Sequence, residues 1–484
     1  MKACLLRIAA KIRALWMESG LGESDVGKPI IRPLEDNDRS TSEVASDVLK
    51  RDRLCAKRAF EYGALLIRQS ILAGVVGVLA GLCGVLFRYA TLEARPLFFQ
   101  GESLFGGVRA LFFLPLVGLL IVWLYRLLKL SVYAGTNDVV ESLNSCKKPS
   151  FSILLAPLVF LSSVLTILCG GSTGREGAAL QFGGCVGLGV GKVFERFFHI
   201  RPCETRVAIL CGMSGGFAAV FSAPLTAAVF ALEIACVGIF YYPAFLPALL
   251  AALCGSSLAA ACGFHRMART ISETTLTFGL TLRTVVFGVL CGLVCIFFCS
   301  TIRRMTKRAA TVFSNDYSRA FCGGLCVVLA TLALGTTAYN GTGCFNVDQA
   351  FIGKSDSWDF VLKTLFTAVT LGCGYKGGEI VPALAVGATF GAFVAPLLGT
   401  GAELGVPLGM VALFCGTTNC PITSLFLGVE LFGFQNAPLF AIVCGVAYLT
   451  SGHAGLYRSQ RVYFSKLTAK TYDPRPYDES AENA

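Results

Sequence analysis

The sequence predicts an all-α integral membrane fold, built as two inverted halves with many tilted and half-spanning helices. Three observations carry this. The 484 residues are 55% hydrophobic and only 15% charged, with a mean hydropathy of +0.67, too apolar for a soluble domain of this length. Apolar stretches recur along the chain, and several carry Gly, Pro or a charge near their middle, the pattern of broken helices lining a protein-enclosed path. Two short motifs also occur twice each at an offset of about 200 residues.

Taken from the start, residues 1–16 place Leu5, Ile8, Ala9, Ile12 and Leu15 on one helical face with Arg7, Lys11 and Arg13 interspersed. This predicts a basic amphipathic helix lying on the membrane surface, with a cleaved transit peptide as the alternative; a secretory signal would need an uninterrupted apolar core. Residues 18–39 are polar and irregular. The capping-box pattern from Ser40 to Glu43 then starts a helix that continues through Arg58 and Tyr62 toward the first span. Apolar stretches follow at Ile71–Tyr89, Leu111–Leu130, Phe151–Leu168, Val207–Leu232, Phe245–Cys262, Val285–Cys299 and beyond Phe360, several long enough to cross a bilayer. The predicted organisation is a cytoplasmic segment over 1–60, a transmembrane transport domain over 61–465 with halves near 61–262 and 280–465, and a cytoplasmic tail over 466–484.

The formal net charge is +11, and no aromatic-interleaved basic domain lies outside the apolar spans, so nucleic acid is not the expected partner. Basic residues gather before residue 68 and after Tyr457 (Arg458, Arg461, Lys466, Lys470). That bias predicts both termini on the cytoplasmic side and an even count of full crossings. The 21 cysteines are scattered through apolar segments and read as small hydrophobes rather than a disulfide framework. Cys415 and Cys420 lack a histidine or second cysteine pair, so no metal site and no cofactor are expected. Gly187-Leu188-Gly189-Val190-Gly191-Lys192 is followed by valine instead of Ser or Thr, which excludes a phosphate loop; Gly183, Gly187 and Gly191 read as a helix-packing stripe. With three histidines and no spaced acid, base and nucleophile outside the spans, an enzyme is not expected.

The duplicated motifs hold the chemistry. Gly174-Arg175-Glu176-Gly177 opens one apolar helix and Gly377-Gly378-Glu379-Ile380-Val381-Pro382 opens another. Ser222-Ala223-Pro224 has Glu233 nine residues after its proline, and Asn419-Cys420-Pro421 has Glu430 at the same interval. In transporters such copies are commonly inverted, with the substrate site near the midplane. A carboxylate within the membrane costs about 2.5 to 3.5 kcal/mol on insertion scales, so Glu176 needs a role or a partner. The glycines around it let backbone approach an anion, and the following helix offers free N–H groups and its positive dipole end. Ionised, the carboxylate occupies this cradle; protonated, it yields to a substrate ion. The alternative is a first-turn Glu that pairs with Arg175 or complements the dipole.

Together these motifs resemble the CLC anion channels and exchangers over roughly residues 60–465. The resemblance implies that Glu176 is the gating glutamate. It also implies that positions 378–382 correspond to the family's Gly-x-Phe-x-Pro helix start, with Ile380 replacing phenylalanine and Glu379 inside the pattern. A Gly-Gly-Glu helix start resembles the fluoride-transporting branch, where this extra glutamate marks the anion path. The first anion-binding turn, Gly-Ser-Gly-Ile-Pro in chloride transporters, corresponds here to Gly135-Thr136-Asn137-Asp138-Val139, with Thr136 in place of the chloride-coordinating serine. An ordinary loop turn is the alternative there. Counting from Pro224, Ile234 stands where chloride/proton exchangers carry an inner proton-transfer glutamate, and Glu233 and Glu430 read as helix-end carboxylates snorkelling to water. Tyr457 matches the family's late tyrosine whose hydroxyl reaches the central anion; an interfacial belt aromatic is the alternative.

The resemblance thus implies a fluoride/proton antiporter of the cell's inner membrane, with chloride as the alternative anion and a non-transporting scaffold as the alternative class. It implies that Glu176 and Glu379 gate the path and couple protons. Anion contacts come from Thr136, Asn137, Gly174, Arg175, Gly177, Gly378, Ile380, Val381 and Tyr457. Val381 offers no hydroxyl to a small, strongly hydrated anion. A homodimer in contact with lipid is implied as well.

Overall fold

A computed structural model describes residues 41–92, 109–133, 135–144, 151–198, 202–264, 269, 271–466 and 471–476. The predicted surface helix over 1–16, the irregular stretch over 18–39 and the ends of both termini lie outside the described residues. The long helix predicted before the first span is α1 (Thr41–Leu92).

The chain then forms a short 3-10 turn (Arg109–Phe113), α2 (Leu114–Leu127), α3 (Thr136–Asn144), α4 (Leu155–Leu168), α5 (Glu176–Phe198), α6 (Pro202–Phe221) and α7 (Pro224–Glu233). A two-residue strand β1 (Cys236–Val237) and α8 (Phe245–Ala261) close the first half. The second half comprises α9 (Phe278–Val312), α10 (Asp316–Leu334), α11 (Cys344–Phe351), α12 (Asp359–Gly372), α13 (Ile380–Leu397), α14 (Ala402–Thr418), α15 (Pro421–Phe432) and α16 (Ala437–Thr450). Strands β2 (Arg461–Phe464) and β3 (Thr471–Pro476) end it.

Seven of the described helices are long and apolar enough to cross a membrane, among them Gly63–Leu92, Phe278–Val312 and Ile380–Leu397. Others are half-length: α7 has 10 residues and α15 has 12. At about 1.5 Å per residue they reach roughly halfway through a hydrocarbon core of about 30 Å. This is the mixture of whole and half spans that the sequence predicts.

The stretch Val207–Leu232, continuous in hydropathy, is divided into α6 and α7. Ser222 sits at φ 56°, and Pro224 takes the first turn of α7, where its missing N–H costs nothing and its ring prevents α6 from continuing. The second half repeats the device with Asn419 at φ 58° and Pro421 opening α15.

Small residues bring the long helices together. A Cβ on Gly183 would stand 2.2 Å from the Gly212 carbonyl oxygen, and one on Gly187 2.1 Å from that of Ala208, so the predicted stripe is the contact of α5 with α6. The second half copies this pair: Gly387 and Gly391 of α13 pack against the Gly409 and Gly405 carbonyls of α14. The halves also meet through aromatic rings, Phe230 lying 5.3 Å from Phe217 and 5.3 Å from Phe414 between centroids.

The two proline-led helices run in opposite directions, because the last turn of each lies against the first turn of the other. α7 begins beside Ser222 and ends at β1, whereas α15 begins beside Asn419, next to the chain's late loop, and ends at Phe432. Strand β1 pairs in parallel with β2, and β2 pairs antiparallel with β3. This small sheet, for which the sequence carries no signal, fastens the end of the chain to the loop after α7.

The carboxylates Glu233 and Glu430 do not snorkel. Both are buried, and each caps the other's helix. Glu233 accepts hydrogen bonds from the Ile422 and Thr423 amides at 3.2 and 2.8 Å and from the Thr423 hydroxyl. Glu430 accepts from the Leu225 and Thr226 amides at 3.1 and 2.8 Å and from the Thr226 hydroxyl. Thr226 and Thr423 are fully buried, and at each helix start a carboxylate satisfies two first-turn N–H groups while complementing the dipole. Glu430→Ala should therefore lower stability by about 2 kcal/mol, since it leaves buried donors unmet. Thermal melting of the purified protein in detergent checks this, and an unchanged melting temperature would contradict it.

Candidate functional site

The two Gly-rich acidic turns meet. Gly174 and Gly378 form an isolated antiparallel bridge, the Gly174 amide donating to the Gly378 carbonyl at 2.6 Å and the Gly378 amide to Gly174 at 2.8 Å. The Thr173 hydroxyl also donates to the Gly378 carbonyl, at 3.2 Å. The reason glycine is required is spatial: a Cβ on Gly378 would lie 2.5 Å from the Gly177 nitrogen, and one on Gly177 2.7 Å from the Gly378 Cα. Helices α5 and α13 thus start back to back from a shared backbone contact. Their first-turn N–H groups have no intrahelical acceptor and lie close together at this bridge.

Both acidic side chains sit there. Glu176, the first residue of α5, is 2% exposed, and its Oε2 accepts from the Arg175 amide at 2.9 Å. Glu379 is the N-cap of α13 but makes no side-chain capping bond; its Oε2 lies 3.6 Å from where a Gly177 Cβ would stand. The carboxylates of the two halves are therefore gathered over one helix start, although 203 positions separate them in sequence.

Tyr457 completes the cluster. It is 2% exposed, within electrostatic reach of Glu379 and Glu176, and so not in an interfacial belt. Its buried Oη makes no hydrogen bond to any described residue. The loop that aims it is fixed at several points. The Leu456 amide donates to the Thr417 carbonyl at 2.9 Å, the Gln460 amide group to the Thr418 carbonyl at 3.1 Å, and the Lys466 ammonium to Asn419 Oδ1 at 2.6 Å and the Tyr448 carbonyl at 3.0 Å.

Thr136 and Asn137 approach from the β-sheet end. The Thr136 hydroxyl accepts from Gln181 of α5 at 2.9 Å, which leaves its own proton available to donate. Asn137 Oδ1 accepts from the Ser459 amide at 3.4 Å, two residues past Tyr457. Ile380 is fully buried in apolar packing and offers the site only its backbone. Val381 lines a cavity together with Arg88, Arg175, Glu176, Phe221 and Phe432, at the end of α7 opposite the sheet. Ile234, at the place of the inner acid, is fully buried.

Two cations near the site carry no motif and were not apparent from sequence. Lys376, three residues before Glu379, donates to the Val132 carbonyl and stacks 4.6 Å over the Tyr125 ring. Lys363 is fully buried in the second turn of α12. The available signal was simply an ionisable residue inside an apolar run, which by itself points to function in a membrane helix.

Comparison with known proteins agrees with this architecture. The family model described as voltage gated chloride channel matches residues 117–452. The chain is 34% identical over 402 residues to a chloride/fluoride channel protein of Pseudomonas syringae pv. tomato, covering 82% of this chain and 86% of that one. It is 25% identical over 421 residues to an H(+)/Cl(-) exchange transporter of Vibrio vulnificus, covering 80% and 87%. Among solved structures, a CLC-type fluoride/proton antiporter superposes with a TM-score of 0.77 at 32% identity, covering 82% of this chain and 98% of that one. A slow cyanobacterial Cl-/H+ antiporter superposes with a TM-score of 0.68 at 18% identity, covering 79% and 94%, which speaks to the fold alone.

Proposed function

The chain belongs to the voltage-gated chloride channel (CLC) family, and on that footing we propose that this multi-pass membrane protein exports fluoride from the cytoplasm in exchange for protons. The observation that carries the reading is the convergence of Glu176, Glu379 and Tyr457, whose buried hydroxyl has no hydrogen-bond partner among the described residues, where two helix starts meet.

In this reading the Glu176 carboxylate and fluoride compete for the same free amides. Ionised, Glu176 fills the cradle; a proton taken from outside removes its charge, and the side chain yields to the anion. The backbone amides of Arg175, Gly177, Ile380 and Val381 supply the coordination, which suits a small anion that would otherwise retain its water. Those of Gly174 and Gly378, expected from sequence to bind the anion, are bonded to each other's carbonyls and hold the two helix starts together. The Tyr457 hydroxyl donates from the inner side, and Thr136 and Asn137 border the path there. Glu379 places a second titratable carboxylate on that path, while Ile234 leaves no acid at the chloride exchangers' inner position. The fluoride/proton antiporter of the superposed structure supports fluoride, and the name of the Pseudomonas chloride/fluoride channel protein includes both ions.

The inward proton gradient then drives fluoride outward. Such an exporter has a task, because hydrogen fluoride re-enters cells as a neutral acid and dissociates inside. The proposal places the chain in the cell's inner membrane, with both termini cytoplasmic by the basic bias of the chain ends, and as a homodimer with one path per subunit.

The test is efflux from liposomes followed with fluoride and chloride electrodes and a pH-sensitive dye. Fluoride should leave while protons enter, with chloride far slower. Chloride leaving as fast as fluoride would reject the fluoride assignment, and a protein moving neither ion would favour the scaffold reading.

A further inference from the structure

The loop that carries Glu176 is docked on α12 by a single polar stripe. Lys363, Thr367 and Thr370 stand at i, i+4 and i+7, one face of the helix, and all three are fully buried. Each bonds to Ser172, four residues before Glu176. The Lys363 ammonium donates to Ser172 Oγ at 2.9 Å, Thr367 Oγ1 and Ser172 Oγ share a hydrogen bond at 3.0 Å, and the Ser172 amide donates to Thr370 Oγ1 at 3.1 Å.

The remaining two donors of Lys363 reach the Tyr339 and Gly341 carbonyls at 3.0 and 2.9 Å. These precede α11, whose Cys344 and Val347 line the same cavity as Glu176. No carboxylate is among the hydrogen-bond partners of Lys363 in the described residues. A buried membrane lysine without a counter-ion is costly, and simple packing is served better by an apolar side chain of similar length.

We propose that Lys363 is a positioning residue for the gate: its ammonium pins the first-half loop bearing Glu176 and the second-half loop leading into α11, holding the anion cradle in register with the cavity that Val381 and Val347 line. The inference rests on the transport reading above. Its consequence is specific. Without the charged donor the Ser172 hydroxyl keeps only its threonine partner, and the turn loses its tie through Lys363 to the Tyr339 and Gly341 carbonyls while retaining those of Asn340 to Gly170 and of Gly174 to Gly378. The aim of the amides that follow loosens, so that Glu176 competes less well with the anion. Anion affinity and proton coupling should fall together, before turnover at saturating anion does.

Purified full-length protein in fluoride-loaded liposomes gives the readouts: KM and maximal rate of fluoride efflux, and protons taken up per fluoride released. Lys363→Met should raise the fluoride KM about tenfold, the scale of one charge-assisted hydrogen bond, and lower the proton-to-fluoride ratio. Lys363→Arg, which keeps charge and donors, should restore the ratio, and Ser172→Ala should shift both quantities the same way by less. A well-folded Lys363→Met with wild-type KM and ratio would overturn the assignment. Should Lys363→Met fail to fold, Ser172→Ala and Thr367→Val decide, and wild-type values in both would equally overturn it. Wild-type protein that moves no fluoride is a separate outcome, seen before any substitution, and removes the transport reading on which this one stands.

Discussion

Glu176→Gln is expected to stop proton movement while the protein remains folded. The substitution keeps the size of the side chain and removes its ability to alternate between charged and neutral forms. Glu176 is 2% exposed and held against the Arg175 amide, so a glutamine there is a permanent copy of the protonated gate. Proton uptake driven by a fluoride gradient should fall at least about 100-fold, the lower end of what a positioned proton-transfer group contributes. Fluoride movement should lose its dependence on the proton gradient. Dye-reported proton uptake in liposomes measures this directly, and persistence of uptake in the variant would remove Glu176 from its assigned role.

Gly378→Ala is expected to have an effect of similar size for a different reason. The Gly174 and Gly378 backbones exchange two hydrogen bonds at 2.6 and 2.8 Å, and the added methyl would enter space held by the Gly177 nitrogen at 2.5 Å. The obstacle is backbone, which cannot rotate away, so the starts of α5 and α13 must separate. Misplacement by about 1 Å of groups that act on one small ion costs on the order of 100-fold. Fluoride efflux from the variant should drop by that amount. Normal rates would show that the two helix starts are not held together in the way the bridge implies.

The parts of this site that were legible in the sequence are those where local backbone chemistry leaves a mark. Gly174-Arg175-Glu176-Gly177 and Gly377-Gly378-Glu379 announce themselves because glycine is needed where backbones touch and because an acid inside an apolar stretch is rare. Pro224 and Pro421 announce half-helices because proline cannot continue a preceding helix. Their duplication exposes the inverted halves, and with them most of the fold.

What remained hidden depends on partners remote in sequence. Glu233 reads as a snorkelling side chain until the start of α15, 189 positions away, is seen to lie against it. Lys363 has no motif at all; its meaning comes from Ser172, 191 positions earlier. Thr136 is tied to the site by Gln181, a residue with no distinguishing neighbours in the chain. Strands β1 and β2 are too short for a periodic signal, and they exist because the chain end returns to the loop after α7.

The most direct test of the account is fluoride binding to the purified protein measured by calorimetry across pH. If the side chain of Glu176 and the ion contend for one set of amides, affinity in the wild type should weaken steadily as the pH is raised through the carboxylate's titration, and Glu176→Gln should lose most of that dependence, keeping only what Glu379 contributes. Affinity that is flat with pH in the wild type, or that weakens alike in both proteins, would contradict the shared site.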